Sequence, residues 1–332
     1  MNRRRILVTG GAGYIGAHTV RLLLERACDV AVVDNLSKGR RHNVPPEILH
    51  ELDLSDGAAL ADLMRRKRID AVVHFAAFAE VGESMREPAR YFRNNVAGSL
   101  SLLGAMVDAG VKHIVFSSTA AVYGTPQSSP IREDFPIQPV NPYGESKAMV
   151  ETMLRWFDAI HRLTSVTLRY FNAAGADPQG RLGEEHDPES HLIPLVLRAV
   201  ATGRPVTVFG NDYATPDGSC IRDYIHVNDL AQAHILALEH LIAGGASDRF
   251  NVGTGAGHSV LEVIGAAEAV TGQKVPYSVG PRRPGDPPAL VAAPDKLRAT
   301  LGWKPQYADL RTIVEHAWNF ARKRAAGLED TI

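Results

Sequence analysis

The sequence predicts an α/β fold, a doubly wound parallel sheet with a smaller, partly interleaved α/β unit. Three observations predict it. Short β-branched apolar runs alternate with amphipathic stretches through the first half of the chain. Those runs are continuous rather than polar–apolar alternating, as in strands buried on both faces of a parallel sheet. The second half breaks the rhythm with Pro- and Gly-rich segments, "NAAGADPQG", "NDYATPDGS" and "GPRRPGDPP". Long loops of that kind in a compact chain are usually functional.

Taken in order, 5–10 reads as a buried strand, 14–27 as a helix, 29–35 as a second strand and 58–68 as a helix. A strand follows at 71–77, a helix over roughly 88–109 and a strand at 113–119. The stretch "NPYGESK" then opens a helix to about 161, followed by a strand at 165–171. Pro142 suits the first turn of that helix, where its missing N–H has no partner to lose. Further helices are expected at 192–202, 228–243, 259–271 and 310–324. The expected units are 1–172 and 173–332, with the segment around 222–252 returning to the first. Sheets of this type bind ligands at the carboxyl ends of their strands. Three such ends carry Gly10, Asp34 and Thr119.

Composition narrows the function. With 45% hydrophobic and 22% charged residues, the chain has ample material for a globular core. Its 36 basic and 37 acidic residues leave no basic surplus for a nucleic acid partner. Cys28 and Cys220, the only cysteines, form no CxxC pair, which excludes a disulfide framework and argues against structural zinc. The start "MNRRR" mimics a signal peptide, yet "ILVTGGAGYIG" behind it is too short and glycine-rich for an apolar core. No long apolar run predicts a membrane span, so a cytoplasmic location is expected.

The segment "VTGGAGYIG" carries GxGxxG as Gly11, Gly13 and Gly16, with Gly10 before them, between a strand and a helix. Glycines there permit a tight turn and close approach of backbone to a pyrophosphate, which the helix N-terminus attracts. Asp34 ends the next strand eighteen residues after Gly16. A carboxylate at that place accepts from an adenosine ribose and repels a 2′-phosphate, which favours NAD over NADP on a Rossmann-type unit. Lys38, Arg40 and Arg41 close behind keep NADP open.

Tyr143 and Lys147 stand at i and i+4, one turn apart on one helix face. A free tyrosine, with a pKa of about 10, is a poor base. A nearby ammonium and the positive nicotinamide ring both favour the phenolate, which can then take a hydroxyl proton while hydride leaves the same carbon. Alone, the pair is as readily an ordinary helix start; behind a dinucleotide cradle the chemical reading gains weight. "FSSTAAVYG" places Ser117, Ser118 and Thr119 at a strand end. Thr119 is the candidate for proton handling, whereas Ser117 and Ser118 can equally cap a turn.

Together these residues resemble the extended short-chain dehydrogenase/reductase superfamily. "DNLSKGRR", "VGES", "NPYGESK", "LRYFNAAGA", "RDYIHVNDLA" and "RRPGDPP" are further similar to the UDP-glucose (UDP-galactose) 4-epimerase family, over about residues 4–320. The resemblance implies that Tyr143 takes the sugar 4-OH proton, that Lys147 orients the nicotinamide ribose and lowers the tyrosine pKa, and that Thr119 bridges hydroxyl and tyrosine. Hydride would pass from C4 to tightly held NAD⁺, the 4-keto sugar would swing about its diphosphate link, and hydride would return to the other face. Implied cofactor contacts are Gly10, Gly11, Gly13, Tyr14, Ile15, Gly16, Asp34, Asn35, Asp53, Leu54, Phe75, Ala76, Ala77, Asn94 and Phe171, with Thr119, Tyr143 and Lys147. Implied UDP-sugar contacts are Asn172, His191, Leu192, Thr207, Phe209, Arg222, Arg283, Asp286 and Leu290, with Thr119 and Tyr143. Guanidinium forks at Arg222 and Arg283 suit a diphosphate; the plainer reading of Arg222 is a surface pair with Asp223.

Three positions depart from the family pattern. Ala79 stands where some members have lysine, His191 where Asn is common, and Leu290 at the position that gates the size of the sugar 2-substituent. Sister 4-epimerases of UDP-N-acetylhexosamine, UDP-pentose or UDP-uronate are therefore the alternative. A dehydratase is disfavoured because Ala120 and Ala121 follow Thr119 where that branch has Asp-Glu, and a non-enzymatic regulator because the Tyr143–Lys147 pair is intact. The cluster "GEEHDPESH" (183–191) lacks a chelating pattern and reads as a solvated loop, so no metal is expected. His226 reads as structural, and the basic "ARKRAAG" as a solvated helix end. By resemblance the chain pairs as a homodimer through 88–109 and 143–161.

Overall fold

A computed structural model describes residues 4–283 and 285–327. The outer limits of the two expected units, the first residues of "MNRRR" and Pro284 of "RRPGDPP" lie outside the described residues. The strands are β1 Arg5–Thr9, β2 Asp29–Asp34, β3 Leu49–Glu51, β4 Ala71–His74, β5 His113–Thr119, β6 Thr164–Tyr170, β7 Asn172–Ala174, β8 Val206–Phe209, β9 Ile221–His226, β10 Asp248–Val252, β11 Gly257–Ser259, β12 Tyr277–Gly280 and β13 Ala289–Leu290. The helices are α1 Tyr14–Glu25, α2 Gly57–Lys67, α3 Val81–Ser84, α4 Pro88–Tyr91, α5 Gly98–Ala109, α6 Pro142–His161, α7 Leu192–Thr202, α8 Val227–Ile242, α9 Val260–Thr271, α10 Asp295–Leu301 and α11 Leu310–Ala325.

The large sheet runs β3-β2-β1-β4-β5-β6-β10, and every pairing in it is parallel. Side-chain alternation explains its two covered faces. Ile6, Val8, Val30 and Val32 pack with Val20 and Leu23 of α1 and Leu230 and Leu238 of α8. Leu7, Ala31 and Val33 point the other way, onto Leu60 of α2, Leu102 of α5 and Leu154 of α6. Each fully buried Leu or Val contributes roughly 1.5–3 kcal/mol, so both layers are firmly held. The strand order reverses between β1 and β4, which opens a crevice at the strands' carboxyl ends.

The helix expected over 88–109 is continuous but not uniform. Between α4 and α5 lies a π-helical turn, Phe92–Ala97. There the Asn95 amide donates to Phe78 O (3.0 Å) and Ser146 Oγ (3.0 Å), so side-chain bonds tie the wider turn to α6 and the β4 loop.

The second half holds two small sheets that local patterning did not predict: β11-β9-β13 with β7 beside β9, and the pair β8–β12. Helix α8 and strand β10 rejoin the large sheet's layers, whereas 221–226 pairs within the smaller sheet as β9. Trp303, fully buried, fixes the crossing by donating its indole N–H to Asp229 O at 3.0 Å.

Candidate active site

One cavity of about 700 Å³ opens at the carboxyl ends of β1, β2, β4, β5 and β6. Gly10, Gly13, Tyr14, Ile15, Gly16, Asp34, Asn35, Asp53, Leu54, Phe75, Ala76, Ala77, Asn94 and Phe171 line it, as do Thr119, Tyr143, Asn172, His191, Arg222 and Leu290. Gly11 and Lys147 sit behind its wall. Leu192, Thr207, Phe209, Arg283 and Asp286 lie beyond it, so expected cofactor residues converge more fully than expected substrate residues.

The glycine turn has no room for side chains. A Cβ at Gly16 would stand 2.2 Å from Gly10 O, and one at Gly10, which holds φ +69°, would stand 2.5 Å from Ala76 N. Gly13 precedes α1 with no side-chain cap, leaving the first-turn N–H groups to the cavity. Asp34 accepts from Ala12 N (3.0 Å) and Leu36 N (2.8 Å). Burial raises its pKa, and these two bonds oppose the rise. Asn35 donates to Asp53 at 2.7 Å. This set fits a dinucleotide: backbone donors for a pyrophosphate and a carboxylate for a ribose. The three cations that left NADP open are engaged elsewhere. Lys38 pairs with Glu80 (2.7 Å), Arg41 pairs with Glu51, and Arg40 donates to Glu185 O (3.1 Å). The Lys38–Glu80 pair also brings a cation beside Ala79 from another part of the chain.

Asn141 caps α6 by accepting from Gly144 N at 2.8 Å, and Pro142 occupies its first turn. This sets Tyr143 and Lys147 against the end of β5. Tyr143 and Thr119 both line the cavity, and Thr119 Oγ1 accepts from Ala121 N at 3.1 Å. Lys147 Nζ donates to Ser117 O at 2.9 Å and lies 4.9 Å from the centre of the Phe116 ring. Burial lowers the Lys147 pKa to about 7, against the pull of Glu151. Burial also pushes Tyr143 well above the ordinary phenol value, Tyr170 adds to this, and the nearby Thr119 side chain opposes it. The net direction is opposite to that expected from a neighbouring ammonium. In the chain alone, desolvation outweighs attraction.

Arg222 is buried and pairs with Asp286 rather than with Asp223, the plainer alternative. Asp223 is itself fully buried, accepting from Thr254 N, Gly255 N and Ala292 N. Arg283 lies over the Phe209 ring at 4.1 Å, on the strand that also carries Thr207. His226 is structural: it accepts from Asn228 N (3.1 Å) and meets His316 Nδ1 (3.0 Å).

The 183–191 stretch is not the solvated loop that its spacing suggests. Glu184, only 5% exposed, lies 2.7 Å from His191 Nδ1 and 2.9 Å from His186 Nδ1, and Glu189 lies 2.9 Å from His191 Nδ1. Ligand-type atoms of all four residues lie within 4.8 Å of one another. The 2.7–2.9 Å separations are hydrogen-bond lengths, shorter than the roughly 3.3 Å between donors each about 2.0 Å from a tetrahedral ion. This is ion-pair geometry. Burial works against the charged form of His191, but Glu184 and Glu189 raise its pKa to about 10. The structure adds other residues that the sequence reading missed. Glu184, His186, Arg93 and Tyr170 line the cavity. Tyr213 lies under Arg282 (4.4 Å) with its hydroxyl buried and unpartnered.

A family model, NAD dependent epimerase/dehydratase family, matches residues 6–253. The UDP-glucose 4-epimerase of Halalkalibacterium halodurans is 52% identical over 97% of both chains. The crystal structure of UDP-glucose 4-epimerase from Brucella ovis in complex with NAD is 47% identical, with TM-score 0.93, covering 96% of this chain and 98% of that one. The Bifidobacterium longum UDP-glucose 4-epimerase in complex with NAD⁺ and UDP is 39% identical, with TM-score 0.90, over 97% and 99%.

Proposed function

The chain belongs to the NAD dependent epimerase/dehydratase family, and from that premise we propose that it interconverts UDP-glucose and UDP-galactose by transient oxidation at sugar C4. The observation that carries the reading is that Tyr143 and Thr119 line one cavity with the glycine cradle. NAD⁺, when bound, would supply the hydride acceptor and donor for C4. Tyr143 takes the 4-OH proton and later returns it. Thr119 holds the 4-oxygen, and Lys147, fixed by Ser117 O, opposes protonation of the phenolate. Arg222 and Arg283 hold the diphosphate as guanidinium forks, so the sugar can turn about its link without leaving. His191, kept cationic by Glu184 and Glu189, is a polar contact on the same cavity wall. Asp34 and the Ala12–Ile15 backbone hold the adenosine half.

A second reading rests on Leu290, which lines the cavity and is intermediate in size, so UDP-N-acetylhexosamines remain candidate substrates beside UDP-pentoses and UDP-uronates. Incubation with a panel of these UDP-sugars, with products identified by NMR, separates them. Conversion of UDP-glucose and UDP-galactose into each other at the highest kcat/KM supports the proposal; preference for another sugar replaces it.

We further propose a homodimer. Leu100 on α5 and Met149, Trp156 and Ile160 on α6 are exposed, and Ile160 is 67% accessible. An apolar stripe across two adjacent helices suits a twofold contact. Sedimentation of the wild type and of Trp156→Glu checks this: a dimer that becomes a monomer is expected. A cytoplasmic location fits a chain in which no described helix is long and apolar enough to cross a membrane.

A further inference from the structure

Behind the Tyr143–Lys147 pair runs a buried polar chain that the proposed mechanism does not use. Glu151 continues the same face of α6, four residues beyond Lys147. Its carboxylate accepts from Ser118 Oγ at 2.6 Å and from Arg169 through Nε (3.0 Å) and Nη2 (2.5 Å). Arg169 also donates to Tyr123 O–H at 2.8 Å, and Tyr123 donates to Asn251 Oδ1 at 2.7 Å. Ser118 and Arg169 are register partners on β5 and β6, and Asn251 partners Arg169 from β10. A single carboxylate on α6 therefore grips two neighbouring strands immediately below the strand end that carries Ser117 O and Thr119.

We propose that Glu151 is a positioning residue for Tyr143 and Lys147: it locks α6 to the ends of β5 and β6 and sets a carboxylate one turn from the Lys147 ammonium. The inference rests on the reading of Tyr143 as the base. The side-chain geometry supports it. Ser118 points away from the cavity toward Glu151, while Ser117 O holds Lys147 and Thr119 lines the cavity with Tyr143. The electrostatics agree. The charged and titratable groups around Lys147 are Tyr143 and Glu151 on α6, His74 on β4, and Arg169 and Tyr170 on β6. Burial holds His74 neutral, at about 3, with Lys147 adding to the effect. Arg169 is bound bidentately by Glu151. Glu151 is thus the group that favours the charged lysine against its burial. Without it, Lys147 loses its proton at lower pH.

The test compares wild type, Glu151→Gln, Glu151→Asp and the double variant Glu151→Gln/Arg169→Gln, which leaves no buried guanidinium unpaired. Two readouts are taken: the pH profile of kcat, and the ultraviolet tyrosinate titration of the NAD-loaded protein, referenced to Tyr143→Phe. The proposal expects the alkaline limb of the profile to move down by roughly one pH unit in Glu151→Gln, and the tyrosinate midpoint to depart from wild type as Tyr143 loses its placement. The double variant should show the same shifts, and Glu151→Asp should restore them in part. Folded Glu151→Gln or double variants with wild-type limbs and midpoint would overturn the proposal and leave Glu151 a purely structural residue. If wild type fails to epimerise UDP-hexoses while the tyrosinate shift persists, the functional reading fails and the positioning role stands.

Discussion

The two ends of the cavity are built from different material. At the cradle end, contacts with a ligand would come from backbone: a glycine turn with no space for a Cβ, an uncapped helix start and the buried end of β2. At the other end they would come from Arg222 on the wall and from side chains just beyond it, now engaged with each other, Arg222 with Asp286 and Arg283 with Phe209. The first end is fixed by folding itself. The second must exchange its internal pairs for a ligand, so it suits a molecule that turns over, whereas the first suits one that stays. The contrast predicts that cradle substitutions act on cofactor retention and stability, and substitutions at the far end act on substrate affinity.

Tyr143→Phe tests the junction between the ends and should have the largest effect. Loss of a positioned proton acceptor costs about 10²–10⁴-fold in turnover, while both ends still bind their ligands; near-normal turnover would remove Tyr143 from the mechanism. Gly16→Ala comes next. With the new Cβ 2.2 Å from Gly10 O, the turn must shift, at roughly 1–3 kcal/mol of stability. Purified protein should then carry less NAD than wild type, which absorbance and mass spectrometry read directly; equal retention breaks the contrast. Arg222→Met should spare NAD and raise KM by roughly ten- to a hundredfold, the equivalent of about 1.5–3 kcal/mol for charged hydrogen bonds, with kcat changed far less.

Acid and alkali separate the ends by sign. Burial lowers His18, on the cradle helix, to about 4, although Asn228 bonds it. The unfolded chain takes up that proton first, so stability is complete above about pH 6.5 and falls as pH drops toward 4. His191 is raised to about 10, so its contribution is complete below about pH 6.5 and is lost as pH rises through 10. His18→Gln should flatten the acid side of the Tm–pH curve and His191→Asn the alkaline side; curves parallel to wild type would refute both assignments. Leu290→Ser should have the smallest effect, a modest shift of the kcat/KM ratio toward N-acetylated UDP-sugars, and an unchanged ratio would show that Leu290 is not the gate.

The same contrast explains what the sequence revealed. β1, β2, β5 and β6 lie within a residue or two of expectation because β-branched runs buried on both faces leave a continuous apolar trace. The cradle and Tyr143–Lys147 are legible because their spacing along the chain is their geometry in space. β8 and β13 are short, and the pairing of β8, β9 and β13 depends on distant partners. Arg222 and Asp286 meet across 64 residues, so only family resemblance pointed to them. The carboxylates of 183–191 were misread because local polarity is the same whether a loop faces water or folds onto its own histidines. Glu151 gave no signal, since its partners Ser118 and Arg169 lie on separate strands.

The central claim is that C4 is inverted by hydride leaving and returning, with Tyr143 moving only the hydroxyl proton. Converting UDP-galactose in deuterated water and examining C4 of the product by NMR tests it most directly. The account predicts UDP-glucose with its original hydrogen at C4 and no net reduction of NAD⁺. Deuterium at C4, or NADH formed in step with product, would contradict it.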